Sequence, residues 1–181
     1  MISRRLCLTA LGLFALAGLN VTANVSKADE PVLEVVNESA KSFSYQLADL
    51  AKLPQREIIA KDHRGETAKY AGVELIAVLK QSQVVSGPNL KGPLLTNSLL
   101  VEAADKYRVV FSLPEIDPEW TDNVVLLATS RNGQPLNAAH GPFQIIVPHD
   151  KRHGRWVRQV IRLTVRSEAK EQGAKEKTTS P

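Results

Sequence analysis

Residues 58–79 read IIAKDHRGETAKYAGVELIAVL. The apolar residues that open this stretch predict a strand, and residues 63–66, HRGE, predict the turn that ends it. Apolar spacing over residues 73–79 then predicts a short buried helix, preceded by Gly72. A turn that only reverses the chain needs little more than Gly65 and one acidic residue. This turn gathers acid, base and imidazole as well, in the run Lys61, Asp62, His63, Arg64 and Glu66.

Short strand patterns continue on both sides of this stretch. Residues 31–47 predict an opening strand with a polar turn, and residues 47–54 a short helix that stops at Pro54. Residues 94–117 predict two strands joined by a tight turn at Asp105 and Lys106. The prediction is therefore a mixed α+β domain dominated by strands, with short helices.

The C-terminal third of the sequence adds three more strand signals. Asn132-Gly133 is typical of a hairpin turn after a strand, and residues 141–148 predict a further strand between Gly141-Pro142 and Pro148. Residues 156–166 alternate strictly, which predicts one long strand with Trp156 and the arginines on one face. Apolar residues from Val157 to Val165 form most of the other face.

The first 28 residues have the pattern of a secretory signal peptide. Arg4 and Arg5 precede an apolar run over residues 6–19, which is shorter than the ~20 residues of a membrane span. We expect cleavage after Ala28, or else after Ala23, and a periplasmic or secreted protein. The paired arginines leave general and twin-arginine export open, and an uncleaved anchor is the alternative.

Residues 29–166 then form one folded domain, and residues 167–181 a disordered tail without apolar periodicity. Residues 29–181 contain no cysteine, which excludes disulfides and thiolate ligands from that part of the chain. The formal net charge of +4 is modest, and no base-stacking motif accompanies it. We therefore expect no nucleic-acid partner.

Catalytic and metal motifs are weak. No G-x-S-x-G nucleophile motif occurs, and the spacing of the carboxylates does not identify an acid–base pair. His149 and His153 have the spacing of zinc ligands, which His63 and His140 could complete. Pro148 and Gly154 bracket a loop rather than a helix, so solvated histidines are favoured and no metal site is predicted.

The order of several short segments resembles the molybdopterin-binding domain of the sulfite oxidase superfamily. The resemblance covers about residues 31–166, and the order and spacing of its pieces are more specific than any single one. The pieces are Tyr70-Ala71-Gly72-Val73, Asp105-Lys106-Tyr107, Leu126-Leu127-Ala128, Asn132-Gly133-Gln134-Pro135-Leu136, Gly141-Pro142-Phe143, Val147-Pro148 and Arg155-Trp156-Val157-Arg158-Gln159-Val160.

The resemblance implies a strand-dominated mixed-sheet fold of that type and a pterin cofactor. In the superfamily's enzymes, the loop after the strand at residues 56–60 carries the cysteine that ligates molybdenum. Here that loop reads Lys61-Asp62-His63-Arg64, and neither carboxylate nor imidazole replaces a soft thiolate well. We therefore expect a non-catalytic domain that binds a pterin, a reduced pterin in preference to molybdopterin, without molybdenum.

The chain looks most similar to a branch of short, exported, cysteine-less pterin sensors. That branch implies a partner, the periplasmic domain of a membrane diguanylate cyclase or phosphodiesterase. The alternatives are a molybdopterin-dependent oxidoreductase, or a subunit of one, and an interaction module with an empty pocket.

A pterin offers amino and ring N–H donors and a flat ring, so carboxylates, aromatic rings and cations are the predicted contacts. Glu115 and Asp117 are the first carboxylate candidates, although they could instead frame the turn before Pro118. Asp62 is the next. The remaining predicted pterin contacts are His63, Arg64, Tyr70, Tyr107, Arg152, Arg155 and Trp156.

Overall fold

The computed structural model describes residues 31–167, which form two strand layers and few short helices. The predicted signal peptide, residues 1–28, and the tail beyond Ser167 lie outside the described residues. The strands are β1 (Leu33–Val36), β2 (Ser42–Tyr45), β3 (Gln55–Lys61), β4 (Thr67–Glu74), β5 (Ser98–Ala103), β6 (Arg108–Ser112), β7 (Leu126–Arg131), β8 (Gln134–Pro135), β9 (Gln144–Ile146) and β10 (Val160–Arg166). The helices are α1 (Leu47–Leu50) and α2 (Leu75–Gln81), with 3₁₀ turns at Gly87–Asn89, Gly92–Thr96 and His153–Arg155.

The first sheet has the strand order β2-β1-β10-β5-β6. β1 and β10 pair in parallel and every other pair in this sheet is antiparallel, so the sheet is mixed. Alternating residues such as Leu33, Val35, Leu99 and Val101 are buried, while Glu34 and Arg162 form an ion pair across the open face. The predicted fold class, a strand-dominated mixed-sheet domain, is confirmed.

The second sheet has the order β3-β4-β7-β8, and β9 also pairs with β7. The β3–β4 hairpin turns at residues 62–66, and its pairing brings Lys61 opposite Thr67. β4 continues onto β7, where Tyr70 lies opposite Arg131. This pairing positions the candidate site, because it brings the hairpin turn to the end of β7.

Two elements differ from their predictions. The strand β4 continues to Glu74, so α2 begins at Leu75, and Val73 and Glu74 are strand rather than helix. The pairing of residues 70–73 with both β3 and β7 explains the difference, since those partners satisfy the backbone in the extended form. The conformation of this first element is therefore determined by its pairing within the sheet.

The second element is the predicted long strand at residues 156–166. β10 starts only at Val160, after a 3₁₀ turn and a positive φ of 50° at Gln159. Its pairing with β5 shifts between Val160 and Arg162, which ends the strict alternation. Trp156 and Val157 precede the strand, and both are buried.

The inward faces of the two sheets and of α2 share one apolar core. Its largest fully buried side chains include Phe111, Phe143, Leu126 and Ile145. No helix within residues 31–167 is long and apolar enough to cross a membrane.

Gly72 is required where β4 and β7 approach most closely. A Cβ atom at this position would lie 2.1 Å from the Leu127 carbonyl oxygen and 2.8 Å from the Ala128 Cα atom. Both neighbours are backbone atoms of a buried strand, so they have little freedom to move. The register of β4 against β7 shifts at this glycine, between Ala71 and Gly72.

We expect Gly72→Ala to lower the free energy of unfolding by about 3 kcal/mol, because the added methyl group overpacks the strand pair. Gly154→Ala is the control, since its nearest contact would be the Tyr107 hydroxyl at 3.9 Å. That variant should remain within about 0.5 kcal/mol of wild type. Urea unfolding of the two variants measures the difference, and equal stability would contradict this role of Gly72.

Candidate functional site

A cavity of about 330 Å³ lies where the β3–β4 turn, the end of β7 and the loops on either side of β9 meet. Its lining combines charged, polar and aromatic side chains with little aliphatic surface. The lining residues are Asp62, His63, Tyr70, Asp105, Tyr107, Arg131, His140, Gln144, His153, Gly154, Trp156, Val157 and Arg158.

Asp62 has a structural role in the charged turn between β3 and β4. Its Oδ1 atom accepts hydrogen bonds from the backbone N–H groups of Arg64, at 2.8 Å, and Glu66, at 3.0 Å. Gly65 completes the turn with a φ of +80°, a conformation that other residues rarely adopt. One oxygen of this carboxylate therefore closes the turn, which is a structural duty.

The other oxygen of Asp62 connects the turn to β7. Arg131 Nη2 donates to Asp62 Oδ2 over 2.8 Å, and the guanidinium carbon lies 5.7 Å from the centre of the Tyr70 ring. Burial of Asp62 disfavours its charged form, but the two backbone donors and Arg131 outweigh this effect and lower the pKa of the carboxyl group. Asp62 is thus a fully engaged anion at the edge of the cavity.

Aromatic rings form the inner wall. The centres of the Tyr70 and Trp156 rings lie 5.7 Å apart, with the ring planes at 89°. Trp156 Nε1–H donates to the Val147 carbonyl oxygen over 2.9 Å, which fixes the indole. Burial also raises the pKa of the Tyr70 hydroxyl, so this phenol stays neutral. Tyr107 lies at the mouth and is half-exposed, although its hydroxyl donates to Gly154 O.

The hydrogen bonds of two cavity histidines determine their neutral tautomers. His153 Nε2 lies 2.8 Å from the Lys61 carbonyl oxygen, which can only accept, so Nε2 carries the proton. His140 Nδ1 lies 2.8 Å from Asn137 Oδ1, an oxygen that also accepts from Ala139 N–H, so Nδ1 is the donor. In each neutral ring the second nitrogen is left as an acceptor.

Burial lowers the pKa of His140, and the positive charges of Arg158 and Arg131 lower it further. This imidazole is therefore neutral at physiological pH. Despite three histidines in the lining, no group of three His, Cys, Asp or Glu side chains within residues 31–167 is placed to hold a metal ion.

Gln144 is the most unusual member of the lining. Only 4% of this residue is exposed, and its Oε1 atom has no hydrogen-bond partner within residues 31–167. Its neighbours in β9, Ile145 and Ile146, are fully buried, and the residue opposite on β7 is Ala128. A buried polar atom without a partner costs about 1–3 kcal/mol, so the free protein carries an unmet acceptor beside the cavity.

Five of the ten predicted ligand contacts line the cavity: Asp62, His63, Tyr70, Tyr107 and Trp156. The structure brings them together, while their roles toward a ligand stay predictions. The other five lie outside this cavity: Arg64, Glu115, Asp117, Arg152 and Arg155. Arg64 and Arg152 are exposed.

The structure places Glu115 and Asp117, the first carboxylate candidates, outside this cavity. Asp117 is fully buried and accepts hydrogen bonds from the backbone N–H groups of Gly87 and Glu119, so it holds two loops together. Glu115 accepts from Ser112 N–H and from Arg155, which is itself paired with Asp150. These carboxylates frame the turn before Pro118, which was the alternative stated for them.

Arg155 has the same structural duty. Its guanidinium lies 4.7 Å from the centre of the Phe111 ring, and its hydrogen bonds to Asp150 and Glu115 raise the pKa of the group. Because this cation pairs with two carboxylates and packs on an aromatic ring, it stabilises the fold and does not contact the cavity.

Sequence reasoning missed six polar lining side chains as ligand contacts: Asp105, Arg131, His140, Gln144, His153 and Arg158. Gln144 carried a usable signal, because it is a polar residue inside an apolar strand pattern. His140 and His153 were considered only as metal ligands. Arg131 carried no signal, because only the β4–β7 pairing brings it to Asp62.

Residues 20–174 match the family model described as "Oxidoreductase molybdopterin binding domain". The chain belongs to this family. The superfamily inferred from the order of the sequence segments is therefore confirmed, while the branch of short sensors stays a prediction. The comparison with curated proteins found no match.

Among solved structures, the chain is similar to the sulfane dehydrogenase SoxCD from Paracoccus pantotrophus, with a TM-score of 0.58. The sequences are 19% identical, and the match covers 76% of this chain and 38% of that one. At this identity the likeness shows a shared fold alone, and the chain spans well under half of the matched chain.

Asp62→Asn should lower the free energy of unfolding at neutral pH by about 1–3 kcal/mol, since an amide cannot match all three donors. The pKa of folded Asp62 lies below its unfolded value of about 3.9, so the stabilisation is present above that value. It disappears as the pH falls through the folded pKa, and the two proteins should then converge. Urea unfolding at neutral and acidic pH tests this.

The control is Glu66→Gln, because Glu66 is 62% exposed and reaches Arg131 only at 3.5 Å. That variant should differ from wild type by less than about 1 kcal/mol. A deficit in Asp62→Asn that stays constant at acidic pH would contradict the linkage.

Asp117→Asn and Glu115→Gln should leave ligand affinity unchanged, because both carboxylates lie outside the cavity. Asp117→Asn should lower the free energy of unfolding by about 1–3 kcal/mol, since its amide meets backbone N–H donors in a buried site. Glu115→Gln, at a partly exposed ion pair, should cost less than about 1 kcal/mol. Calorimetric titration with reduced pterins and thermal melting test both effects, and a tenfold loss of affinity in either variant would return these carboxylates to the site.

Proposed function

We propose that this molybdopterin-binding domain, which is related to oxidoreductases, holds a pterin in the described cavity and catalyses no reaction on it. The observation that carries the proposal is the cavity itself, with a buried amide oxygen that no described residue satisfies. Ligand pockets commonly hold about 300–1,000 Å³, so the volume of about 330 Å³ suits a small bicyclic ring.

The side chains that line the cavity have the chemical groups that a pterin requires. Gln144 supplies an amide oxygen without a partner among the described residues, and the neutral His140 ring keeps one acceptor nitrogen for an N–H group of a heterocycle. Tyr70 and Trp156 provide apolar aromatic surface on the inner wall, and Tyr107 does so at the mouth. When bound, a pterin would supply a flat ring with donors and acceptors at its edge.

The donor set supports a non-catalytic role. Asp62 occupies the loop where the resemblance places the thiolate ligand of molybdenum, and its oxygens are engaged with Arg64, Glu66 and Arg131. If this carboxylate coordinated a metal, the hydrogen bonds that close the turn would break and Arg131 would lose its partner. Hard oxygen and imidazole ligands are also poor replacements for a soft thiolate.

The proposal extends to a periplasmic sensor that regulates a membrane enzyme of cyclic-diguanylate metabolism. The support is the resemblance to the short exported branch and the leader pattern of residues 1–28. In this scheme the ligand, through Tyr107 and Arg158 at the cavity, alters the surface that the partner domain contacts.

Analysis of protein purified from the periplasm tests the function directly. We expect about one equivalent of a pterin, released on denaturation and identified by fluorescence and mass spectrometry, with no stoichiometric molybdenum. One equivalent of molybdenum would favour the oxidoreductase or its subunit. Absence of both groups, in protein that also fails to bind added reduced pterins, would favour the empty interaction module.

A further inference from the structure

The buried amide of Gln144 has no structural reason to be polar. Its backbone pairs with Ala128 on β7, and this pairing does not depend on the side chain. The flanking residues Phe143 and Ile145 are fully buried apolar residues, as expected of a core strand. An apolar side chain of similar length would remove an unsatisfied acceptor, so Gln144 lowers the stability of the free protein.

We propose that the Gln144 amide is the hydrogen-bonding anchor of the ligand and selects heterocycles with an adjacent donor and acceptor at one edge. The inference rests on the proposed pterin binding and adds the residue and the edge that it recognises. A ligand that hydrogen-bonds this amide removes the cost of the unsatisfied oxygen. The affinity of a ligand therefore depends on how well its donors and acceptors complement the amide.

The other polar groups of the cavity are less suited to this task. Asp62 is paired with Arg131, and Asp105 Oδ1 accepts the Tyr107 N–H. Arg158 is exposed, so water competes for its hydrogen bonds. Gln144 combines deep burial with an unmet acceptor, and a buried group of this kind discriminates most strongly between ligands that do and do not satisfy it.

An amide carries both a donor and an acceptor, unlike a carboxylate, which only accepts when ionised. Its complement is an edge where a ring N–H or amino group lies beside a carbonyl oxygen or ring nitrogen. Pterins have such edges. A bicyclic ring without N–H or carbonyl groups fits the same aromatic wall but offers no donor to the amide oxygen, so it should bind more weakly.

The test compares pterin with quinoxaline, a flat bicyclic ring with neither N–H nor carbonyl groups, on wild type and Gln144→Met. Methionine keeps the length of the side chain and removes both polar groups. Pterin affinity should fall about ten- to a hundredfold in the variant, whereas quinoxaline affinity should change by less than about threefold. The melting temperature of the free variant should equal or exceed that of wild type.

Gln134→Met is the matched control, because Gln134 is an exposed glutamine of β8 outside the cavity. It should leave both affinities unchanged. Unaltered pterin affinity in Gln144→Met would overturn the anchor while leaving pterin binding intact. Equal losses for both ligands with a lower melting temperature would assign Gln144 a structural role and also overturn it. Failure of wild type to bind pterin would overturn both the anchor and the proposed function.

Discussion

The contact between Asp62 and Arg131 holds the candidate site together. One carboxylate, only 7% exposed, accepts three hydrogen bonds, two from its own turn and one from the end of β7. A buried carboxylate is tolerated only when such donors surround it. The β3–β4 turn, Arg131 and the Tyr70 ring consequently have one arrangement, and the cavity takes its shape from them.

Around this contact, the structure separates polar groups that maintain the fold from polar groups that are available to a ligand. Asp117, Glu115 and Arg155 are all satisfied by neighbouring backbone or by one another. Gln144 is more deeply buried than Glu115 or Arg155, and its oxygen lacks a partner within residues 31–167. Because Gln144 also lines the cavity, its amide is the better candidate for a ligand contact.

The aspartate in the loop after β3 has a structural role. An aspartate in that loop can close the turn and bind the arginine of β7, which links the hairpin to the second sheet. The Asp62 carboxylate is thus part of the scaffold around the cavity.

The sequence alone determined the strand-rich fold class, the hairpin at Asn132-Gly133, the turn at residues 63–66 and the family, because these depend on local periodicity, turn chemistry and the order of segments. It also found Tyr70 and Trp156, which lie within recognisable segments. Only the tertiary structure decided that residues 73–74 are strand, that β1 pairs in parallel with β10, and that Arg131 meets Asp62. These features depend on partners far away in the chain. For the same reason, the sequence could not distinguish Glu115 and Asp117 from ligand contacts. A carboxylate near a proline gives the same sequence pattern whether it faces a cavity or accepts hydrogen bonds from backbone N–H groups.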